Sequence, residues 1–502
     1  MLTFSARTRV VSLARMAEDA FDVLVIGGGI TGVGIALDAA SRGMSVALVE
    51  KDDFAAGTSG RSSRLVHGGL RYLEHGDIGL VRESLRERGI LYRLAPHLVR
   101  PVPMYMLADS RRRRATYRAG LTVYEALAAG RNIGYHQATG ADQVAAAIPG
   151  LGERTRGVRY FECQTDDARL TIEVARTAHA YGAQLANHAK VTGLLGAGRV
   201  TGAAVTDELT GQTFEVRARA VVNAAGIWAA EVAGPGAGVT LSPSKGVHLV
   251  FAPGAVRTTA AMVAPAADGR YVFIVPWEDR VYAGTTDTPY DGDLDSPAVG
   301  DADRDYILSA VAPLFPGVTG RDVVASWAGL RPLLGPSADG SETARTADLS
   351  RKHAIFDQPP GLFTITGGKL TTYRAMAQDL VDRVAAALGH TARCRTRDIP
   401  LGLHGSAAAA VRLARDEAGR LGLPPRVAVR LVQRYGDDWR AAVALIEADR
   451  SLGEPAVAGL PVLGVELALA RRREMALTDE DVLVRRTRLT TRDASVRLTP
   501  SA

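Results

Sequence analysis

Two stretches carry residue types and spacings that could do chemistry: Gly27-x-Gly29-x-x-Gly32, and SGRSSRLVHGGLRYLEHGD at 59–77. In the first, Gly27 permits a tight turn, Gly29 lets backbone approach a pyrophosphate, and Gly32 lets a helix pack closely on a strand. Ile30 and Thr31 open that helix, whose free N–H groups and positive dipole end face the phosphates. Glu50 closes the next strand, just before Lys51, and is placed to accept hydrogen bonds from a ribose; its charge disfavours a 2′-phosphate. A second glycine cluster, GAGRVTG at 196–202, leads into strand-like sequence instead of a helix, so a single dinucleotide site is expected. The stretch 59–77 holds three arginines, two histidines, three serines and a Gly-Gly pair. It is either a solvated loop with helix-cap chemistry or part of a reaction centre.

These residues need elements to position them. FDVLVIGGG begins with a buried strand at 22–26, of the kind found in parallel sheets covered on both faces. Residues 30–41 have helical spacing, 45–49 return as a strand, and 77–95 read as a charged helix stopping at Pro96. Strand-like segments at 157–162, 200–206, 212–217, 219–222 and 271–283 predict an antiparallel sheet inserted into the nucleotide domain. A short strand at 363–366 precedes Gly367–Gly368 and an amphipathic helix over 370–387. After Gly405 the chain is Ala/Leu/Arg-rich with helical spacing. The expected class is α/β: a Rossmann-like domain interleaved with an antiparallel-sheet domain over 20–402, then a helical domain over 403–490. Residues 1–19 read as a disordered extension or short surface helix, and 491–502 as a frayed tail.

A chain of 502 residues with 47% apolar and 23% charged residues suits a soluble protein with a large core. Cys163 and Cys394 form no CxxC pair, which points away from a disulfide framework and towards a reducing cytoplasm. No metal site is expected, because the histidines show no ligand spacing with acids. The net charge of +6 does not argue for nucleic acid. Arg111–Arg114, and Arg471–Arg473 with Arg485, Arg486 and Arg488, read as solvated faces, or as surfaces for an anionic partner or membrane.

Further fragments favour a flavin over a nicotinamide. ARAVVNAAGIWA at 218–229 ends a strand in small residues, where backbone at Ala224 and Gly226 could approach a cofactor. TITGGKLTTYRAMA at 364–377 starts a helix that could stabilise negative charge on a reduced flavin. Trp228, Trp277 and Trp327 read first as packing, although Trp228 closes the small-residue strand.

IGGGITGVGIALDAASRG, TSGRSSRLVHGGLRYLEHGD, VVNAAGIWA, SKGVHLVF, WAGLRPLL, SRKHAIF and GGKLTTYRAMA occur here in one order. Together they resemble the FAD-dependent, quinone-reducing glycerol-3-phosphate dehydrogenases, over roughly residues 20–490. The resemblance implies FAD as cofactor and oxidation of sn-glycerol 3-phosphate to dihydroxyacetone phosphate. It further implies a membrane quinone as acceptor and a cytoplasmic protein held peripherally on the anionic inner face of the membrane; a homodimer stays open. Arg71, Tyr72, Thr286, Arg331, Arg351 and Lys369 match substrate-side positions. His248 is implied as the general base, with a structural histidine as the alternative, and Arg331 and Lys369 share the reaction centre with it. Thr58, Ser59, Ser62, Ser63, His67, Gly68, Gly69, Val191, Trp228, Gly368, Leu370 and Thr371 fall on the cofactor side. Gly68–Gly69 would be bare so that backbone can pass the flavin. Ala225 and Ile227 depart from the Thr and Pro common in the family. An oxidase using O2 and an amine or amino-acid oxidase of the same fold remain alternatives. If the helical domain serves only assembly or docking, deleting it should leave FAD binding intact.

Overall fold

The computed structural model describes residues 3–74, 76–152, 154–335 and 353–497. Apolar continuity at Ala20–Ile26 and Val46–Val49 makes strands buried on both faces. They pair in parallel with each other, and Ala20–Ile26 also pairs in parallel with Thr213–Asn223. Leu362–Thr366 and Gln184–Ala186 extend this sheet in parallel on either side. The helices Ile30–Ser41, Asp167–Ala180 and Tyr373–Leu388 cover one face with one apolar cluster. The other face is covered by the Ala189–Leu195 and Gly202–Asp207 hairpin and by the helix Ala6–Glu18. Residues 212–217 and 219–222 are therefore one long strand, not two, whose first half pairs with the hairpin.

The second sheet has ten strands, almost all antiparallel. Residues 271–283 resolve into two of them, Tyr271–Trp277 and Arg280–Gly284, paired as a hairpin. Ser244–Phe251 lies between Arg280–Gly284 and Val323–Arg331. Arg100–Ala108 joins this sheet despite Pro101 and Pro103, a strand that composition alone argues against. The class is the one expected: α/β, with an inserted antiparallel sheet and a C-terminal set of helices beginning at Ala407–Arg420.

Three readings need correction. Of the two readings of residues 1–19, the helix holds and the disordered extension does not: Ala6–Glu18 is helical, Arg9 is buried, donating to the Asn187 carbonyl, and Phe4 packs on Phe54. Residues 489–492 are helical and not frayed, with Arg492 buried against Glu278 and Asp279. Arg485, Arg486 and Arg488 are not a solvated or lipid-facing surface. All three are buried and ion-paired, with Asp53 and Asp481, with Asp53, and with Asp166 and Asp167 respectively. Helical spacing assigned these arginines to a helix, but only the packing decides which face looks inward.

Candidate active site

Between the two sheets lies a cavity of about 910 Å3. One wall is the first glycine turn. Gly27 has φ +111, and a Cβ there would sit 2.6 Å from the Ala224 carbonyl oxygen. A Cβ on Gly32 would sit 1.9 Å from the Gly27 carbonyl oxygen, so Gly32 serves helix packing and does not line the cavity. The Ile30 N–H donates to Ser59 Oγ at 2.8 Å. Glu50 turns towards the glycine turn, its carboxylate accepting from the Gly28 N–H at 2.6 Å and the Asp52 N–H at 2.9 Å. Burial pushes the Glu50 carboxyl up, against the pull of those two donors. The opposite wall supplies a second helix start, where Gly367 and Gly368, at φ +80 and +76, lead into Leu370–Thr372 and then Tyr373.

Gly27, Gly29, Ile30, Thr31, Glu50, Lys51, Thr58, Ser59, Ser62, Ser63, His67 and Gly69 all line this cavity. So do Val191, Ala224, Gly226, Trp228, Gly368, Leu370 and Thr371, and on the substrate side Arg71, Tyr72, His248, Arg331 and Lys369. Some lining hydroxyls already have protein partners. Thr58 Oγ1 donates to the Leu330 carbonyl at 2.6 Å, and Ser62 Oγ donates to Asp167 at 2.7 Å. Thr371 Oγ1 accepts from the His67 N–H at 3.2 Å, which fixes that turn.

Two expectations do not hold, and a third falls outside the described residues. Thr286 faces away from the cavity; its Oγ1 accepts from the Val247 N–H at 3.0 Å, and Thr285 lines the cavity in its place. Both threonines lie in the turn after Arg280–Gly284, whose path decides which one points in, and the sequence does not give that path. Gly68 does not line the cavity either. Its missing side chain makes room for Tyr124 and Leu85, which a Cβ would meet at 2.3 and 2.5 Å. Arg351 lies outside the described residues.

The sheet face opposite the nucleotide wall gives the site its order. On Ser244–Phe251, residues Ser244, Gly246 and His248 share one face and register with Arg331, Gly329 and Trp327 on the neighbouring strand. The Gly246–Gly329 pair leaves a bare floor between Arg331 and His248. A Cβ on Gly246 would meet Thr285 Oγ1 at 2.5 Å and an Arg331 guanidinium nitrogen at 2.6 Å. Sequence reasoning missed this floor, together with Thr285 and Asp287; the signal was the alternation in SKGVHLV and WAGLR. Arg331 donates to Asp287 at 3.2 Å, Thr285 Oγ1 at 3.1 Å and the Thr286 carbonyl at 3.1 Å, which fixes its fork. Across the cavity, Lys369 Nζ lies 3.8 Å from the centre of the Tyr72 ring.

His248 is 2% exposed, and its Nε2 lies 2.8 Å from Ser63 Oγ. The Tyr282 hydroxyl donates to the Ser63 carbonyl at 2.7 Å. Burial, then the charges of Arg331 and Arg64, hold the imidazole well below its usual range, so it is neutral near pH 7. A neutral, oriented imidazole beside fixed cations can take a proton from a hydroxyl whose substrate carries an anion. Elsewhere, Asp52, His188 and Asp481 lie close together, but the Arg485 guanidinium, 2.7 Å from Asp481, holds the cation's position there.

Paired helix starts, a glycine turn and an acid at the end of the neighbouring strand fit a dinucleotide carrying a ring system. The profile of the FAD dependent oxidoreductase family, DAO, matches residues 22–383, and that of the C-terminal domain of alpha-glycerophosphate oxidase matches 394–500. Glycerol-3-phosphate dehydrogenase 1 of Mycobacterium tuberculosis strain H37Rv is 40% identical, across 97% of this chain and 94% of its own length. The aerobic glycerol-3-phosphate dehydrogenase of Bacillus subtilis strain 168 is 37% identical, across 96% and 90%. The structure of glycerol-3-phosphate dehydrogenase from Bacillus halodurans complexed with FAD superposes at TM-score 0.78 with 34% identity, covering 98% of this chain and 90% of that one. The chain belongs to the DAO family of FAD-dependent oxidoreductases, within its glycerol-3-phosphate dehydrogenases, and its cofactor is FAD.

Proposed function

We propose that this chain oxidises sn-glycerol 3-phosphate to dihydroxyacetone phosphate and passes the electrons to a membrane quinone. The observation that carries the reading is the joining of Arg71, Arg331 and Lys369 with the neutral His248 in one cavity with the nucleotide wall. A phosphate dianion calls for several cationic groups, and Arg331, held by Asp287, Thr285 and the Thr286 carbonyl, presents a positive charge in fixed geometry. The Gly246–Gly329 pair lines the cavity between that guanidinium and His248 and keeps side chains out of a place already closely approached by Arg331, Thr285 and the Arg61 backbone. His248 Nε2, hydrogen-bonded to Ser63 Oγ, takes up the C2 hydroxyl proton through that hydroxyl, which gives its own proton to Nε2 as it accepts the one from C2–OH. FAD, held by the glycine turn at Gly27–Gly29 and the turn at Gly367–Gly368, would supply the two-electron redox chemistry that loss of the C2 hydride requires.

For the acceptor, the support is the far end of the cavity, where Met106, Leu107, Val263, Phe273 and Leu314 form an apolar wall reaching Arg113 and Tyr117 of the helix Arg111–Leu127. That helix exposes basic residues suited to an anionic lipid surface, and no helix among the described residues is long and apolar enough to cross a membrane. An O2-using oxidase is the second reading, favoured by the profile match of the C-terminal domain. Anaerobic titration of the yellow protein should bleach the flavin band with glycerol 3-phosphate and not with amino acids; bleaching by amino acids alone overturns the substrate assignment. Rapid mixing of the reduced protein with a soluble quinone and with O2 then separates the acceptors. A faster reaction with O2 selects the oxidase.

A further inference from the structure

A column of stacked side chains runs from the cavity wall to the last helix of the chain. His248 and Trp327 sit opposite each other on adjacent strands, with their rings 4.6 Å apart and 10° from parallel. The Arg64 guanidinium lies 4.4 Å from the Trp327 ring centre and 3.9 Å from that of Trp277. Beyond it, Arg492 lies 4.6 Å from Trp277 and is anchored by Glu278 and Asp279. The order is His248, Trp327, Arg64, Trp277, Arg492.

Arg64 is the unusual member. It is 1% exposed, and its Nε and one terminal nitrogen have no hydrogen-bond partner among the described residues. Nor does it make an ion pair among them. Buried charges are ordinarily paired with a carboxylate in contact; here Asp166 and Asp167 act only from beyond ion-pair distance, and two indole faces meet the guanidinium. Its backbone is left-handed at φ 54, which turns the side chain from the serine-rich loop into the sheet. A planar guanidinium can stack on two rings at once, and an ammonium cannot. Its charge helps keep His248 neutral, and it lies within the loop that holds Ser63.

We propose that Arg64 is a positioning residue for the oxidation: it wedges Trp327 flat against His248 and ties that ring, through Trp277 and Arg492, to the C-terminal helix. The inference rests on the reading of His248 as proton acceptor. Without the wedge, Trp327 gains a void on its far face, and the imidazole loses the plane that keeps Nε2 on Ser63.

The test is a double-mutant cycle on the holoenzyme. Arg64→Met should slow flavin reduction at saturating glycerol 3-phosphate about tenfold, with FAD content and substrate Kd unchanged. In a His248→Gln background the same change should alter the rate less than about twofold. Arg64→Lys, which keeps the charge and removes the plane, is the second variant, useful if Met destabilises the fold; it should also be slowed. Losses that multiply across the cycle, a change in Kd alone, or a Lys variant at the parental rate each overturn the positioning role. A His248→Gln enzyme reduced at the parental rate overturns the acceptor reading, and this inference with it.

Discussion

Arg331 reaches the cavity with its guanidinium already oriented by Asp287, Thr285 and the Thr286 carbonyl. That arrangement makes its removal asymmetric. Arg331→Met deletes a fixed positive charge and keeps the Asp287 carboxylate in the cavity wall, so the expected loss is about 3 kcal/mol, on the order of a hundredfold in KM. The yellow cofactor should remain, since Arg331 contributes no group to the glycine turn; steady-state kinetics with the flavin spectrum checks both. His248 differs in kind, because what matters there is a proton affinity set by burial and by neighbouring cations. The residue types were legible in the sequence; the Asp287 and Ser63 partners were not, since each comes from a distant part of the chain.

At the scale of elements, two glycines on different scaffolds should fail differently. A Cβ on Gly32 meets backbone, the Gly27 carbonyl, and the helix and turn must separate. Gly32→Ala is expected to weaken FAD binding by at least about tenfold, read as a colourless protein after gel filtration. A Cβ on Gly246 meets the ends of Thr285 and Arg331 side chains, which can shift. Gly246→Ala should therefore purify yellow and show a raised KM for glycerol 3-phosphate; a colourless product would contradict that division. Gly32 was readable because its motif is local. Gly246 was not, because its role exists only once Ser244–Phe251 pairs with Val323–Arg331.

For the whole molecule, the C-terminal helices are joined to the nucleotide domain by buried charge. Arg486 pairs with Asp53, and Arg488 with Asp167, which in turn holds the Ser62 N–H and hydroxyl in the cavity wall. Breaking a buried pair costs about 3–5 kcal/mol. Ending the chain after residue 402 is therefore expected to yield no soluble yellow protein, the reverse of what a docking-only domain implies. Recovery of a folded, FAD-loaded truncation would refute this. The same interface buries His97, pushed down to about 3 by burial and then by the charge of Arg169. Its folded value lies below the ordinary 6.5, so its contribution to stability is present above that pH and is lost as pH falls towards 3. Between pH 7 and 5 the loss is about 2 kcal/mol. His97→Leu should flatten that part of the stability profile, measured by denaturant titration.

The α/β class, the dinucleotide signature and the helical end of the chain were legible in the sequence alone, because glycine spacing and hydrophobic period act within one element; the residues named on the substrate side came from the order of the family's motifs. Tertiary structure alone decided which threonine of GTTD faces the site, that Gly68 serves Tyr124 and Leu85, and that the arginines at 485–492 point inward. Each of those depends on the path of a turn or on which side of a helix meets a partner. The period of a pattern says how side chains alternate, and only the neighbour packed against it says which side is in.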